Sequence, residues 1–205
     1  GWQVELLDAG EDVATGASGN PQGILYTRFS STPSSSAEFS LFSYLFAQKF
    51  YRELSAANPH NADFFFPSGV IQLAFNEKER ERLRSIVDKT ALSQEVVQWL
   101  TAQQVNQRAG VDVNIEGLFF PGGGWLIPSK LCQALSDHPN ITRRFSQSVA
   151  ELEFVETQGS TGWSLLSEDK KQITEAPVVI IACAEQSNRL IPGRPLPTKA
   201  IRGQV

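Results

Sequence analysis

Residues 1–8 read GWQVELLD, and residues 9–23 read AGEDVATGASGNPQG. Val4, Leu6 and Leu7 give the first stretch the pattern of a mostly buried β-strand, and that strand ends on an acid, Asp8. The glycines, Asn20 and Pro21 of the second stretch hold the backbone in irregular conformations. Strand, acid and small-residue loop is the order found at the second strand of many dinucleotide-binding units, where the carboxylate accepts hydrogen bonds from ribose hydroxyls. Asp8 takes that role in this reading. Small residues let a backbone approach a bulky anion, so that its N–H groups can hold a pyrophosphate. Ser18, Asn20 and Gln22 add side-chain donors. An ordinary surface turn accounts for the same loop, and the residues alone leave both readings open.

Outward from this stretch, helices and strands alternate. Residues 34–57 form a long amphipathic helix, capped by the serines at 34–36 and ended by Pro59. Phe39, Phe42, Phe46, Phe50 and Leu54 recur at spacings of three and four, which predicts a core-facing stripe. A flavin-stacking role is the rival reading for these rings. Residues 64–75 read as a strand, or a bent strand pair around Pro67-Ser68-Gly69. Residues 77–87 form a charged helix with Leu83, Ile86 and Val87 inward. Residues 93–100 and 101–109 read as two short helices, with Ser93 and Thr101 as caps. A strand at 115–120 precedes Pro121 and the glycines 122–124. Pro128 opens a helix that runs to about Asp137. A short strand at 141–145 leads to antiparallel strands at 149–156 and 163–167, with Gly159 and Gly162 in the turn. Residues 178–182 are apolar throughout and read as a buried strand. This is an α/β fold mixed with α+β.

Composition narrows the function. The chain has 205 residues and a net charge of −4, so it lacks the overall basic footprint of a dedicated nucleic-acid binder. Lys78, Arg80, Arg82 and Arg84 are interleaved with Glu77, Glu79 and Glu81, which describes a solvated helix face. Arg143 and Arg144 are the other local basic pair. Cys132 and Cys183 lie far apart in apolar contexts, as small buried side chains, and suggest no disulfide framework. A reducing, cytoplasmic setting follows. His60 and His138 sit in loop-like sequence and suggest no metal site. No stretch reaches the ~18 apolar residues of a membrane span, and no signal peptide is visible. The chain begins at Gly1 and contains no Met, so we read it as an internal piece of a longer protein.

The strand GWQVELLD followed by GASGNPQG resembles the D-amino-acid-oxidase superfamily of flavoproteins. The form ASGNPQGILY, residues 17–26, is similar to the oxidoreductase domain of the tRNA 5-methylaminomethyl-2-thiouridine biosynthesis bifunctional proteins. Three further segments support this, in the right order along the chain: Gly69 to Leu73 (GVIQL), Phe120 to Pro128 (FPGGGWLIP) and Gly203-Gln204-Val205. The resemblance implies FAD as cofactor. Asp8 would meet the adenosine ribose. Ser18, Gly19, Asn20, Gln22 and Gly23 would line the pyrophosphate and flavin. Val149 would present its backbone to the adenine, and Ala182 and Ala184 would end a strand near the phosphates. The family usually carries glycine at the position of Ala184, and the extra methyl there would stand against close backbone approach. Residues 1–35 and 128–190 would be parts of a Rossmann-like FAD-binding domain. Residues 36–127 would form mainly a substrate domain with a mixed or antiparallel sheet, and 191–205 would return toward it.

The resemblance also implies a reaction. The secondary amine of carboxymethylaminomethyl-uridine, at the wobble position of tRNA, is oxidised, and hydrolysis leaves aminomethyl-uridine and glyoxylate. A methyltransferase half using S-adenosylmethionine then acts on that amine. No acid–base or nucleophile pair stands out, as suits chemistry in which the flavin takes a hydride, and we assign no catalytic residue. The GxGxxG turn belongs ~20 residues before Asp8 and is not in these 205 residues, so this stretch alone is expected to bind FAD poorly and to be inactive. Two rivals are a free glycine- or sarcosine-type amino-acid oxidase and a non-catalytic binding module.

Overall fold

The computed structural model describes residues 1–27, 29, 30, 32, 34–58, 63–90, 92–157, 160–191 and 193–199. Pro59, His60, Gly159 and the Gly203-Gln204-Val205 segment lie outside the described residues. The elements follow in the order β1 (Val4–Leu7), β2 (Gly23–Leu25), α1 (Ser35–Ala57), β3 (Phe65–Phe66), β4 (Val70–Leu73), α2 (Glu77–Lys89), β5 (Gln98–Leu100) and α3 (Ala102–Ala109). There follow β6 (Gly117–Phe120), β7 (Gly124–Leu126), α4 (Pro128–Ser136), β8 (Ile141–Arg144), β9 (Glu151–Thr157), β10 (Ser160–Leu166), β11 (Gln172–Ala176) and α5 (Ser187–Leu190). The chain divides into two compact units, Gly1–Ala17 with the chain from Leu135 onward, and Ser18–Ala134.

In the first unit β1 pairs in parallel with β8, Val4 opposite Ile141 and Leu7 opposite Arg144. Val4 and Glu5 are exposed and Leu6 and Leu7 half-buried, so β1 is less buried than its apolar pattern predicts. A parallel strand becomes fully buried only when neighbours cover both faces, and among the described residues β8 is its one ladder partner. Strands β9, β10 and β11 form an antiparallel meander in the order β11-β10-β9. Ser164, Leu165 and Leu166 of β10 are buried, and Phe154 meets Trp163 edge-on at 5.5 Å. The polar run of β11 hid that strand from the sequence reading. Residues 178–182 correct the reading in the other direction. They form no strand, and Val178 and Ile180 are 60% and 87% exposed. An apolar run becomes a strand only where a ladder receives its N–H and C=O groups, and none of the described strands pairs with it. Cys183, expected to be buried, is exposed, while Cys132 in α4 is half-buried.

The second unit holds two three-stranded antiparallel sheets, ordered β2-β7-β3 and β4-β6-β5. Its core centres on Phe120, which stacks on Phe29 at 5.7 Å and meets Tyr44 and Tyr26 edge-on, each at 6.3 Å. Leu83 and Ile86 of α2 and Leu118 of β6 complete that cluster. The helix starts follow from their caps. Ser34, Asn76 and Thr101 each accept a backbone N–H of the first turn, and Thr101 with Gln104 completes a capping box. Residues 93–100, read as a helix, instead contain a turn and then β5. Val97, Trp99 and Leu100 suit a pleated ladder, and β6 offers the open edge.

Helix α1 also departs from expectation. Phe39, Phe42 and Phe46, read as a core stripe, are 73%, 67% and 68% exposed. At 100° per residue they lie roughly 160–220° around the helix from Tyr44, and Tyr44 is the buried residue of the helix. Leu41, Tyr51 and Leu54, on Tyr44's side, pack onto the core clusters. An amphipathic pattern names an apolar stripe, but α1 carries two, and only packing decides which one faces inward. Among the described residues no helix is long and apolar enough to cross a membrane.

Candidate functional site

Asp8 follows the carboxyl end of β1, the end of a parallel sheet where ligands collect. Its Oδ1 accepts the Gly10 backbone N–H at 2.7 Å, which leaves Oδ2 without a partner among the described residues. The backbone around it is tied to the chain beyond β8. Asp8 N donates to Arg144 O at 3.2 Å, Gln147 N to Asp8 O at 2.9 Å, and Ser146 N to Gly10 O at 2.7 Å. The half-buried carboxylate is thus held by a rigid frame with one oxygen available as an acceptor. Sequence reasoning missed Gly10 and Ser146 as parts of that frame. They carry no motif, although the φ of +55° at Ser146 marks a special backbone.

The second unit begins at Ser18, within the small-residue loop. Ala17–Gly19 makes one 3-10 turn, and Gly23 enters β2. Ser18, Gly19, Asn20 and Gln22 are exposed. The side chains of Ser18, Asn20 and Gln22 form no hydrogen bond within the described residues, so their donors remain available to a ligand. A Cβ built on Gly23 would meet Pro128 Cγ at 3.3 Å and Leu126 Cδ1 at 3.4 Å, so this glycine lets β2 lie close against β7 and the start of α4.

Val149 lies between β8 and β9, two residues beyond the Gln147 that bonds to Asp8. It is half-buried, and its backbone groups make no hydrogen bond within the described residues. Ala182 and Ala184 are exposed and lie in no strand. Ala184 has φ +49°. That left-handed conformation strains an L-residue with a side chain and suits glycine. The Ala184→Gly variant is therefore expected to gain up to about 1 kcal/mol of stability, read as a rise in the urea midpoint of the full-length protein. A lowered midpoint contradicts this account.

The glycine triplet after β6 has a packing role. Gly123 N closes a turn on Phe120 O at 3.0 Å, and Gly69 N donates to Gly123 O at 3.0 Å. Cβ atoms built on Gly122 and Gly124 would collide with the Gln48 side chain and with the Phe66 carbonyl oxygen. A Cβ on Gly123 would come within 2.8 Å of Leu25 O, so Gly123 and Gly124 let the backbones at Leu25 and Phe66 approach this segment, while Gly122 makes room for the Gln48 side chain. Nearby, burial pushes the Tyr44 hydroxyl up to about 12, opposed by the Arg52 charge and the Gln48 side chain, so Tyr44 stays protonated at neutral pH. Among the described residues no group of three or more His, Cys, Asp or Glu side chains is placed to hold a metal ion.

The residues of each unit fit a flavin dinucleotide. One offers a fixed carboxylate with a spare acceptor, and the other an exposed small-residue loop whose polar side chains have no internal partner. Comparison with known proteins points to the same cofactor. Over residues 1–205 the chain is 37% identical to the tRNA 5-methylaminomethyl-2-thiouridine biosynthesis bifunctional protein MnmC of Pseudomonas fluorescens (strain Pf0-1), matching 100% of this chain and 29% of that protein. The protein of the same name from Hahella chejuensis (strain KCTC 2396) is 35% identical, again over 100% of this chain and 32% of its own length. The chain thus spans less than a third of these curated relatives. Among solved structures, glycine oxidase from Geobacillus kaustophilus superposes with a TM-score of 0.71 at 22% identity, over 91% of this chain and 50% of that one. It shows the same fold, α/β with an α+β portion. The family model for FAD-dependent oxidoreductases of the DAO type matches residues 1–205, and the chain belongs to that family.

Proposed function

We propose that the protein carrying this chain is the oxidoreductase part of a bifunctional enzyme that modifies the wobble uridine of tRNA. The observation behind this reading is the similarity to tRNA 5-methylaminomethyl-2-thiouridine biosynthesis bifunctional proteins along the whole chain. The substrate is the carboxymethylaminomethyl group of the uridine. Loss of a hydride from the carboxymethyl CH2 carbon and of a proton from the adjoining secondary amine gives an imine, and water cleaves that imine to aminomethyl-uridine and glyoxylate. When bound, FAD supplies the hydride acceptor. The chain's own residues hold it. The Asp8 carboxylate accepts from the ribose hydroxyls. Ser18, Gly19, Asn20, Gln22 and Gly23 line the pyrophosphate and flavin. Val149 presents its backbone to the adenine, and Ala182 and Ala184 flank the phosphates. Residues 1–35 and 128–190 belong to the cofactor domain, 36–127 mainly to the substrate domain, and 191–205 return toward it. A methyltransferase half using S-adenosylmethionine completes the enzyme, which works in the cytoplasm.

A second reading, oxidation of free glycine or sarcosine, is favoured by the net charge of −4, since a free amino acid needs no basic surface. One experiment separates the two. The full-length protein is incubated with tRNA bearing carboxymethylaminomethyl-uridine, and the digested nucleosides and glyoxylate are quantified. Aminomethyl-uridine and glyoxylate in equal amounts are expected, far faster than any turnover of free glycine. A preparation that oxidises glycine and leaves the tRNA unchanged establishes the second reading instead.

A further inference from the structure

A cleft of about 620 Å³ opens in the second unit beside β5 and α3. Val97 and Leu100, both buried, back it with Trp99, and Gln94, Gln107 and Arg108 stand on its exposed rim. Among the described residues no Asp or Glu lines it, although the chain has 22 acidic residues against 18 Lys and Arg. One guanidinium group of the lining lies on an aromatic ring, Arg108 at 4.2 Å from the Phe119 centroid. Arg80 and Arg82 on the same helix as Arg84 are bound by Glu77, Glu116 and Glu79. Arg108 closes no ion pair among the described residues, whereas the charge of Arg84, like that of Arg80, acts on the Glu116 carboxylate. Gln98 donates to Gln94 O at 2.8 Å and Gln104 caps α3 through Thr101, while the side-chain amides of Gln94 and Gln107 have no partner among the described residues.

A ring-stacked guanidinium holds phosphate with its fork of N–H donors, and a free amide offers both a donor and an acceptor to a base edge. An acid-free wall spares a polyanion the repulsion that the rest of this acidic chain exerts. We propose that this cleft is an accessory site for single-stranded RNA, taking a nucleotide of the tRNA outside the one that is oxidised. Arg108 binds its phosphate, and Gln94 and Gln107 face its base. The assignment rests on the tRNA reading above. A peptide laid along the open edge of β5 is the competing occupant, but it would make no use of the guanidinium group and free amides of the rim.

The test titrates the full-length protein with a fluorescein-labelled 17-nucleotide anticodon stem-loop RNA and follows anisotropy at several salt concentrations. The double variant Arg108→Ala/Gln107→Ala is expected to bind about tenfold more weakly, with a log K against log salt slope shallower by about one. Arg108→Lys/Gln107→Ala is expected to restore the slope, because the charge returns. Circular dichroism melts confirm that each variant folds. RNA affinity and slope unchanged in the alanine variant overturn the site. So does an extended peptide whose binding is abolished by these changes while RNA binding persists. If the parent protein oxidises glycine yet binds no RNA, the tRNA reading itself falls and takes this site with it.

Discussion

Gly124→Ala is expected to destabilise the full-length protein by about 3 kcal/mol or more, at the upper end of what overpacking costs. Gly124 opens β7, the middle strand of its sheet, where it lies opposite Leu25 of β2 while the next residue, Trp125, lies opposite Phe66 of β3. A methyl group there would overlap the Phe66 carbonyl oxygen and come within 3.0 Å of Pro67 Cα. Both neighbours are backbone, so neither can rotate away as a side chain does. Moving β3 outward would break its ladder with β7 and disturb the Phe66–Trp125 stack, whose rings lie 4.0 Å apart. Gly16→Ala is the matched control, because nothing lies within 4 Å of its built Cβ. It should change stability by less than about 0.5 kcal/mol. Urea unfolding of both variants checks the pair, and a Gly124→Ala loss below 1 kcal/mol would falsify the close-approach account.

Asp8→Ala should weaken FAD binding by roughly 10- to 100-fold, the equivalent of losing a hydrogen bond to a charged acceptor. Oδ1 holds the Gly10 N–H, and in the proposed function the other oxygen accepts from a ribose hydroxyl. Asp8→Asn separates the two roles, since its amide oxygen still accepts from Gly10 while the charge is gone. Its affinity should fall between those of the parent and Asp8→Ala. The measurement is a flavin-fluorescence titration of the full-length apoprotein. Equal affinity for all three forms removes Asp8 from the cofactor site.

Local chemistry was readable in the sequence wherever it acts over a few residues. Ser34 and Thr101 start helices because a side-chain oxygen there reaches an N–H two or three positions on. The helix at 77–89 was readable from its charge spacing, and the strand at 4–7 from its apolar run and its terminal acid. The loop at 17–23 kept its small, polar character and remained irregular apart from one 3-10 turn. These features, taken with the order of the motifs, were enough to reach the flavoprotein family.

What failed was everything that needs to know a neighbour. Residues 178–182 have the composition of a buried strand, but a strand exists only where another ladder receives its hydrogen bonds. Residues 98–100 look helical until the edge of β6 is in view. The two apolar faces of α1 are equivalent in sequence, and the ring cluster around Phe120 selected the face of Tyr44, leaving Phe39, Phe42 and Phe46 outside. The sequence shows three glycines at 122–124 after Pro121 but no reason for them, and only the approach of Gln48, Leu25 and Phe66 shows why each lacks a side chain. By itself the sequence determined the elements whose causes are local, the acid at the end of β1 and the family. The tertiary structure decided which faces are buried and where backbones touch, because those depend on contacts between residues distant in the chain, and no short window of sequence contains both partners.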